Sequence, residues 1–171
     1  MKWLLGVTVA VLGVGLAGCG SGGKPATQAG GVTGGQGGTA GMVSVAGNPA
    51  QGSILVDGAG RTLYMFQKDR NGKSACAGQC ATFWPPLITA GKPHVGAGAR
   101  ASLIGTTKRA DGRMQVTYNH HPLYTFVKDT KAGQTNGENV SAFGAEWYAL
   151  SPAGAKVEKS TPAPTSGGYG S

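Results

Sequence analysis

A seven-residue segment that occurs twice, sixty residues apart, constrains this 171-residue chain more than any other feature. Residues 63–69 read Leu-Tyr-Met-Phe-Gln-Lys-Asp and residues 123–129 read Leu-Tyr-Thr-Phe-Val-Lys-Asp, so five of the seven positions are identical. Both copies share the pattern Tyr-x-Phe-x-x-Asp, whose members are Tyr64, Phe66 and Asp69 in the first copy and Tyr124, Phe126 and Asp129 in the second. A duplication of this kind predicts two copies of one structural unit, with each burying a face of the other.

A short strand and a tight turn precede each copy. Residues 53–56 lead through the turn-forming Asp57-Gly58-Ala59-Gly60 into a predicted strand over residues 61–66, and residues 114–118 lead through Asn119-His120-His121-Pro122 into a predicted strand over 123–127. Side chains alternate along a strand, and large apolar groups fall on both faces of the first copy, so this strand should lie at the centre of a sheet.

A polar loop containing Ala-Gly-Gln follows each copy and leads past a Phe to a Trp, Trp84 or Trp147, with a Leu three residues later. Residues 76–83 can form one turn of helix before Pro85-Pro86 stops it. Long helical periodicity is missing. We therefore predict a mainly β fold, in which two tandem hairpin-based repeats (about 43–90 and about 100–152) pack into one small domain over residues 43–154.

The first nineteen residues are typical of a lipoprotein leader. Lys2 supplies a positive charge, residues 3–16 form an apolar stretch short for a membrane span, and Leu16-Ala17-Gly18-Cys19 resembles the bacterial lipobox. We predict a signal peptide over residues 1–18 and a lipidated Cys19 whose acyl chains bind the bilayer. The alternative is an ordinary secretory leader with an incidental Cys.

Residues 19–42 are rich in Gly, Ser, Thr and Ala and predict a flexible tether, whereas residues 155–171 predict a disordered tail. In Gram-negative lipoproteins an Asp after the lipidated Cys favours the inner membrane, and this chain has Gly20. The predicted location is the cell envelope outside the cytoplasm, at the outer membrane or the cell surface.

The charge is positive but dispersed. Residues 43–154 contain eleven Lys and Arg against six Asp and Glu, and no dense basic run or nucleic-acid motif occurs. Nucleic acid is therefore not an expected partner. The charge indicates either simple solubility or attraction to an anionic envelope surface.

With these motifs in view, the chain resembles the bacterial lipoproteins of a secreted-repeat family of unknown function that carry Tyr-x-(Phe/Trp/Tyr)-x-x-Asp. The resemblance rests on the lipobox, both signature copies, the segment Cys76-x-x-x-Cys80-x-x-x-Trp-Pro-Pro-Leu and the segment Glu146-Trp147-Tyr148. One departure is His120, which stands where relatives commonly have the Gly of Asn-Gly. The resemblance implies the fold and an extracytoplasmic location; the family has no established activity to transfer.

The signature residues have two interpretations each. The four aromatic residues of the two copies are either a stacked binding face or core, and we favour core because aromatic side chains dominate β cores. Asp69 and Asp129 are predicted to cap turns by accepting backbone N–H groups, with a carboxylate pair or calcium site as the alternative.

Cys76 and Cys80 are the two thiols left in the predicted domain, and outside the cytoplasm two such cysteines usually pair. We predict a disulfide, which stabilises little because its loop is small. The alternative is a copper-binding or thiol-redox site that adds His120 or His121, with His94, Met65 and Met114 as further candidate ligands. Unpaired thiols are a third possibility.

The common enzyme motifs, Gly-x-Ser-x-Gly, His-Glu-x-x-His and a Gly-rich phosphate loop, do not occur. We predict a non-enzymatic binding or interaction module without a cofactor, copper being the alternative. Its expected partners are the bilayer, through Cys19, and an envelope protein or polymer.

Overall fold

The computed structural model describes residues 41–158, and in this range the protein is mainly β, as predicted. Its strands are β1 (Met42–Asn48), β2 (Gly52–Val56), β3 (Tyr64–Phe66), β4 (Ile88–Thr89), β5 (His94–Val95), β6 (Ile104–Lys108), β7 (Met114–Tyr118), β8 (His121–Pro122), β9 (Val140–Ala142) and β10 (Ala145–Ala149). A short helix, α1 (Gln79–Phe83), follows the first signature copy, and a 3-10 turn (Ala101–Leu103) precedes β6. Within residues 41–158 no helix has the length and apolar character needed to cross a membrane.

The strands form three small sheets. Their strand orders are β2-β1-β5, β3-β10-β9 and β4-β7-β6. The third sheet has a fourth strand, β8, which also pairs with β7. All pairs are antiparallel except β1 with β5. Two clusters of buried side chains fill the interior: one contains Tyr64 and Phe66, and the other contains Leu63 and Met65. The first signature strand is therefore buried on both faces, but the prediction that it lies at the centre of a sheet is wrong. β3 is the end strand of β3-β10-β9, and on its other side Tyr64 forms an isolated bridge with Tyr124. Side chains of both repeats cover its faces without a full neighbouring strand.

Each repeat contributes one strand to a sheet of the other repeat. β4, from the first repeat, pairs with β7 of the second, and β10, from the second repeat, pairs with β3 of the first. The exchange goes beyond the predicted face-to-face packing, because each Trp-containing segment leaves its own hairpin and completes its neighbour's sheet. A single repeat would leave these strand edges unpaired.

The same exchange is seen in two equivalent sets of backbone hydrogen bonds, in each of which three residues donate to one another in a triangle. In one, Leu55 donates to Leu150, Leu150 to Leu63, and Leu63 to Leu55, at 2.8, 3.2 and 2.9 Å. In the other, Val116, Leu87 and Leu123 repeat the same cycle at 2.8, 2.9 and 3.0 Å. In each triangle the Leu that follows a Trp comes from the opposite repeat.

The prediction of a regular strand over residues 123–127 is wrong. This segment runs antiparallel to residues 83–87, with Thr125 N–H on the Pro85 carbonyl at 2.9 Å and Val127 N–H on the Phe83 carbonyl at 3.1 Å. Pro85 and Pro86 have no N–H to donate, so the bond returned from this segment comes from Leu87 N–H to the Leu123 carbonyl at 2.9 Å, and only Tyr124 takes bridge geometry.

The described fold is also slightly longer than the predicted domain of residues 43–154. Met42 begins β1. At the other end, Lys156 bridges to Leu150, and Val157 is buried and donates its N–H to the Ala149 carbonyl at 2.8 Å. The predicted tail therefore starts too early, because residues 155–158 add backbone pairing and one buried side chain. The predicted leader, Cys19, almost all of the tether and the tail beyond residue 158 lie outside the described residues.

The turn between β7 and β8 places Asn119 and His120 at φ +46° and +66°. Both central residues of such a two-residue hairpin turn need positive φ, which is why Asn-Gly is typical there and a His is strained. We expect His120→Gly to raise the free energy of unfolding by about 0.5 to 1 kcal/mol, measured by urea denaturation. His120→Ala is the matched control, because it removes the ring and keeps the strain, and it should not stabilise the fold. A destabilised His120→Gly protein would show instead that the imidazole makes a stabilising contact.

Candidate functional site at the junction of the repeats

The two signature copies meet backbone to backbone at their tyrosines. Tyr64 N–H donates to the Tyr124 carbonyl at 2.8 Å, and Tyr124 N–H donates to the Tyr64 carbonyl at 3.0 Å. Equivalent residues thus pair with each other, and the two repeats are related by an approximate two-fold axis through this bridge. Both tyrosine side chains are fully buried, so the interpretation of the signature aromatic residues as core is correct.

The signature aspartates hold the repeats together. The Tyr64 hydroxyl donates to Asp129 Oδ2 at 2.5 Å, and the Tyr124 hydroxyl donates to Asp69 Oδ2 at 2.9 Å. Each carboxylate also accepts a backbone N–H from its own loop, Asp69 from Ala75 at 2.7 Å and Asp129 from Asn136 at 2.9 Å. The predicted capping role is thus present. The bond to the tyrosine of the other repeat is the part that sequence reasoning missed.

An aromatic stack fills the space between the tyrosines. Trp84 and Trp147 lie parallel with ring centroids 3.9 Å apart, and each stacks on the signature Phe of the other repeat, Trp84 on Phe126 at 4.2 Å and Trp147 on Phe66 at 4.0 Å. The tyrosines close the stack edge-on, Tyr64 against Trp84 at 5.4 Å and Tyr124 against Trp147 at 5.1 Å. Six rings form one continuous unit, and stacked and edge-on pairs of this kind are favourable beyond their buried area.

Burial controls the ionisation of this junction. It raises the pKa of Tyr64, with the bond to Asp129 adding to the effect, and it raises the pKa of Tyr124, with the charge of Asp69 adding to it. Burial also raises the pKa of Asp69 to about 6, although the Ala75 N–H and the Tyr124 hydroxyl oppose the shift. Both hydroxyls therefore remain protonated donors at neutral pH.

The raised pKa of Asp69 predicts an unusual pH dependence. Between the unfolded value of about 4 and the folded value of about 6, the folded protein binds more protons than the unfolded chain, so the Asp69 contribution to stability falls as pH rises through this window. We expect the difference in unfolding free energy between wild type and Asp69→Asn to decrease from pH 4 to 6 and to be flat above it, measured by urea denaturation across pH.

A control of opposite sign is Asp111, whose pKa is lowered to about 2 by hydrogen bonds from Arg113. The difference in unfolding free energy between wild type and Asp111→Asn should change only below about pH 4, where protonation of Asp111 removes its favourable charge. A flat profile for Asp69→Asn between pH 4 and 6 would contradict the burial argument.

The predicted disulfide is present. Cys76 and Cys80 are bonded, with Cα atoms 5.3 Å apart, and both are buried, Cys76 just before α1 and Cys80 within it. The disulfide lies in the segment that connects Asp69 to Trp84 and constrains its conformation.

A buried arginine fastens this loop to the second repeat. Arg109 donates to the Cys76 carbonyl and to Ser74 Oγ, both at 2.7 Å, and to Gln115 Oε1 at 2.6 Å. The Ser74 hydroxyl in turn lies 2.8 Å from the Tyr124 hydroxyl oxygen and donates to it, since the Tyr124 proton is already given to Asp69. In the sequence Arg109 is one of eleven dispersed basic residues between residues 43 and 154, and no local pattern marks it as buried. Only its place at the end of β6, facing the disulfide loop, gives it this role.

The candidate copper ligands are not brought together. His120 and His121 line a depression of about 390 Å³ with Asp69, whereas Cys76 lines another depression with Arg109. His94 is exposed on β5, and Met65 belongs to the second buried cluster. Among residues 41–158, no group of three or more His, Cys, Asp and Glu side chains is arranged to hold a metal ion. Asp69 and Asp129, the residues of the calcium alternative, belong to no such group in the same range.

Comparison with known proteins gives one match. The sequence profile of a family described as a secreted repeat of unknown function matches residues 45–88 and 105–151, which together make up more than half of the chain. Neither the curated proteins nor the solved structures gave a match. Each matched segment contains one complete signature: Tyr64, Phe66 and Asp69 in the first, and Tyr124, Phe126 and Asp129 in the second. They correspond to the two repeats whose junction is described above, and the chain belongs to the family of secreted repeats of unknown function.

Proposed function

We propose that this protein is a lipoprotein held outside the cytoplasm by acylated Cys19, and that its domain is a non-enzymatic binding module. Membership of a secreted family agrees with an extracytoplasmic location. The lipobox-like sequence before Cys19 and the Gly-rich segment after it support the anchor and a tether.

The engagement of the signature groups supports a binding module. The tyrosine hydroxyls, the aspartates and the two cysteines are, within the signature and disulfide segments, the groups that could transfer protons or act as nucleophiles. In the structure they form interrepeat hydrogen bonds and a disulfide, and the tyrosines and cysteines are buried. Groups used in this way stabilise a scaffold, which leaves the exposed loops and turns to contact a partner.

Metabolic labelling with an alkyne fatty acid tests the anchor. In a bacterial host the wild-type protein should take up the label and remain with the membrane fraction, whereas Cys19→Ala should lose the label and be retained as an uncleaved precursor. Cys76→Ala is the matched control, since it removes a different cysteine and should keep the label. A labelled Cys19→Ala protein, or an unlabelled wild type, would overturn the anchor.

The small disulfide loop favours a second candidate, a thiol-redox or copper-binding role for Cys76 and Cys80. A bridge between residues four apart removes little entropy from the unfolded chain, so stabilisation alone is a weak reason to keep it. Native mass spectrometry after reduction and addition of copper(I) separates the candidates. Uptake of one copper ion by wild type, lost in Cys76→Ser/Cys80→Ser, would support this role. A reduced protein that stays metal-free would leave the bridge structural.

A further inference from the structure

Three exposed apolar residues lie together at one end of the junction. Phe83 at the end of α1 is 41% exposed, Phe143 in the β9–β10 turn is 37% exposed, and Val127 after the second signature is 45% exposed. The two phenyl rings have centroids 6.1 Å apart, and the Val127 N–H donates to the Phe83 carbonyl at 3.1 Å. Together with the neighbouring Lys68 and Lys128, we call these residues the aromatic tip.

The charge beside the apolar group is positive. Lys68 extends across the hairpin, with Nζ 3.3 Å from the Phe143 carbonyl, and Lys128 is exposed next to Val127 in the chain. The aromatic tip therefore combines large apolar side chains with two lysines.

The backbone at Phe143 is strained. Phe143 and Gly144 form a two-residue turn between the paired Ala142 and Ala145, with φ +58° and +91°. This geometry is the one in which Asn-Gly is typical, and a bulky residue at positive φ is an outlier. The hairpin would form more readily with Asn or Gly at this position, and strain that folding does not require is found mainly at functional surfaces.

We propose that the aromatic tip docks the domain onto an anionic lipid bilayer, with Phe83 and Phe143 entering the interface and Lys68 and Lys128 contacting the headgroups. Aromatic and basic side chains in one patch are the combination that such surfaces bind. The proposal rests on the proposed anchor, because an acyl chain at Cys19 keeps the domain at high local concentration beside the membrane and makes weak docking effective. A protein partner and a second copy of this chain are the competing occupants.

An environment-sensitive fluorophore on the full-length chain tests the docking. The dye is attached to Thr82→Cys, an exposed position beside Phe83, and the protein is reconstituted into vesicles of phosphatidylglycerol with phosphatidylcholine, or of phosphatidylcholine alone. The matched control carries the dye at Val95→Cys, because Val95 is also 44% exposed and lies outside the aromatic tip. A mass measurement reports whether Cys19 carries lipid or dye.

We expect the Thr82 probe to shift to shorter wavelength on the anionic vesicles and to reverse at high salt, while the Val95 probe stays unchanged. Phe143→Asn should reduce the docked fraction about tenfold, as expected for removing one phenyl group from a lipid interface. Its unfolding midpoint should be equal or higher, since the turn strain is relieved. Lys68→Gln/Lys128→Gln should weaken docking on anionic vesicles.

Four outcomes would overturn the proposal: no response at Thr82, an equal response at Val95, a response as large on phosphatidylcholine alone, or a shift that appears without vesicles and grows with protein concentration. The last would indicate a second copy. If mass shows no acyl chain at Cys19, the proposed anchor fails, and a vesicle titration of that unacylated protein still decides whether the aromatic tip binds the bilayer.

Discussion

Replacement of Trp84 by alanine is expected to reduce the free energy of unfolding by about 3 to 5 kcal/mol, as for other large aromatic residues removed from a core. Trp84 is 1% exposed and contacts rings from both repeats, Trp147 and Phe126 by stacking and Tyr64 by its edge. The cavity would open at the centre of the junction, so the loss should appear as one cooperative shift in urea denaturation.

The approximate two-fold symmetry supplies a matched comparison. Trp147 occupies the equivalent place against Phe66, and Trp147→Ala should cost a similar amount. Phe83→Ala, at the preceding but exposed position, should change stability by only about 0.5 kcal/mol. A loss near that of Phe83→Ala for either tryptophan would show that the ring stack does not hold the repeats together.

Replacement of Tyr64 by phenylalanine is expected to cost about 1.5 to 3 kcal/mol, the range for a hydrogen bond to a charged group. The substitution keeps the ring but removes the donor to Asp129 and the acceptor of the Gly137 N–H, at 2.5 and 3.2 Å. Asp129 is 3% exposed, so its carboxylate cannot recover the lost bond from bulk water. Urea denaturation at neutral pH measures the effect.

A double-mutant cycle with Asp129→Asn isolates the interrepeat bond. If Tyr64 stabilises the fold through Asp129, the double variant should lose less than the sum of the two single losses. Tyr118→Phe is a control at another fully buried tyrosine, whose hydroxyl accepts from the Arg100 N–H and donates to the Pro152 carbonyl. Tyr118→Phe should show no coupling to Asp129→Asn. Strict additivity of Tyr64→Phe and Asp129→Asn would contradict the cross-link.

Local sequence chemistry predicts the individual elements well. Asp57 accepts the N–H groups of Ala59 and Arg61 in the first hairpin turn, as Asp-Gly turns do, and the Ala110-Asp111-Gly112 turn joins β6 to β7. The positive φ at His120 also follows from the two-residue turn. These features depend on neighbouring residues alone, which is why the pattern is sufficient.

Features that depend on contacts between distant parts of the chain could not be predicted in this way. The segment 123–127 has the composition of a strand, yet its neighbour contains two prolines and cannot complete a ladder. Arg109 is one of the dispersed basic residues in the sequence, and it is buried because the disulfide loop of the other repeat covers it. Phe83 and Phe143 each precede a tryptophan, and no sequence rule states that they stay exposed while the tryptophans are buried.

By itself, the sequence determined the mainly β class and the presence of two related units, because a duplicated pattern and turn residues act within short stretches of chain. It favoured the pairing of Cys76 with Cys80 over a metal site or unpaired thiols, and the structure shows the bond. Only the tertiary structure decided that the repeats exchange their Trp segments and that each tyrosine binds the aspartate of the other copy. Identical signatures permit pairing within a repeat or between repeats. The fold adopts the arrangement that buries both tryptophans and at the same time gives both aspartate carboxylates a hydrogen-bond donor.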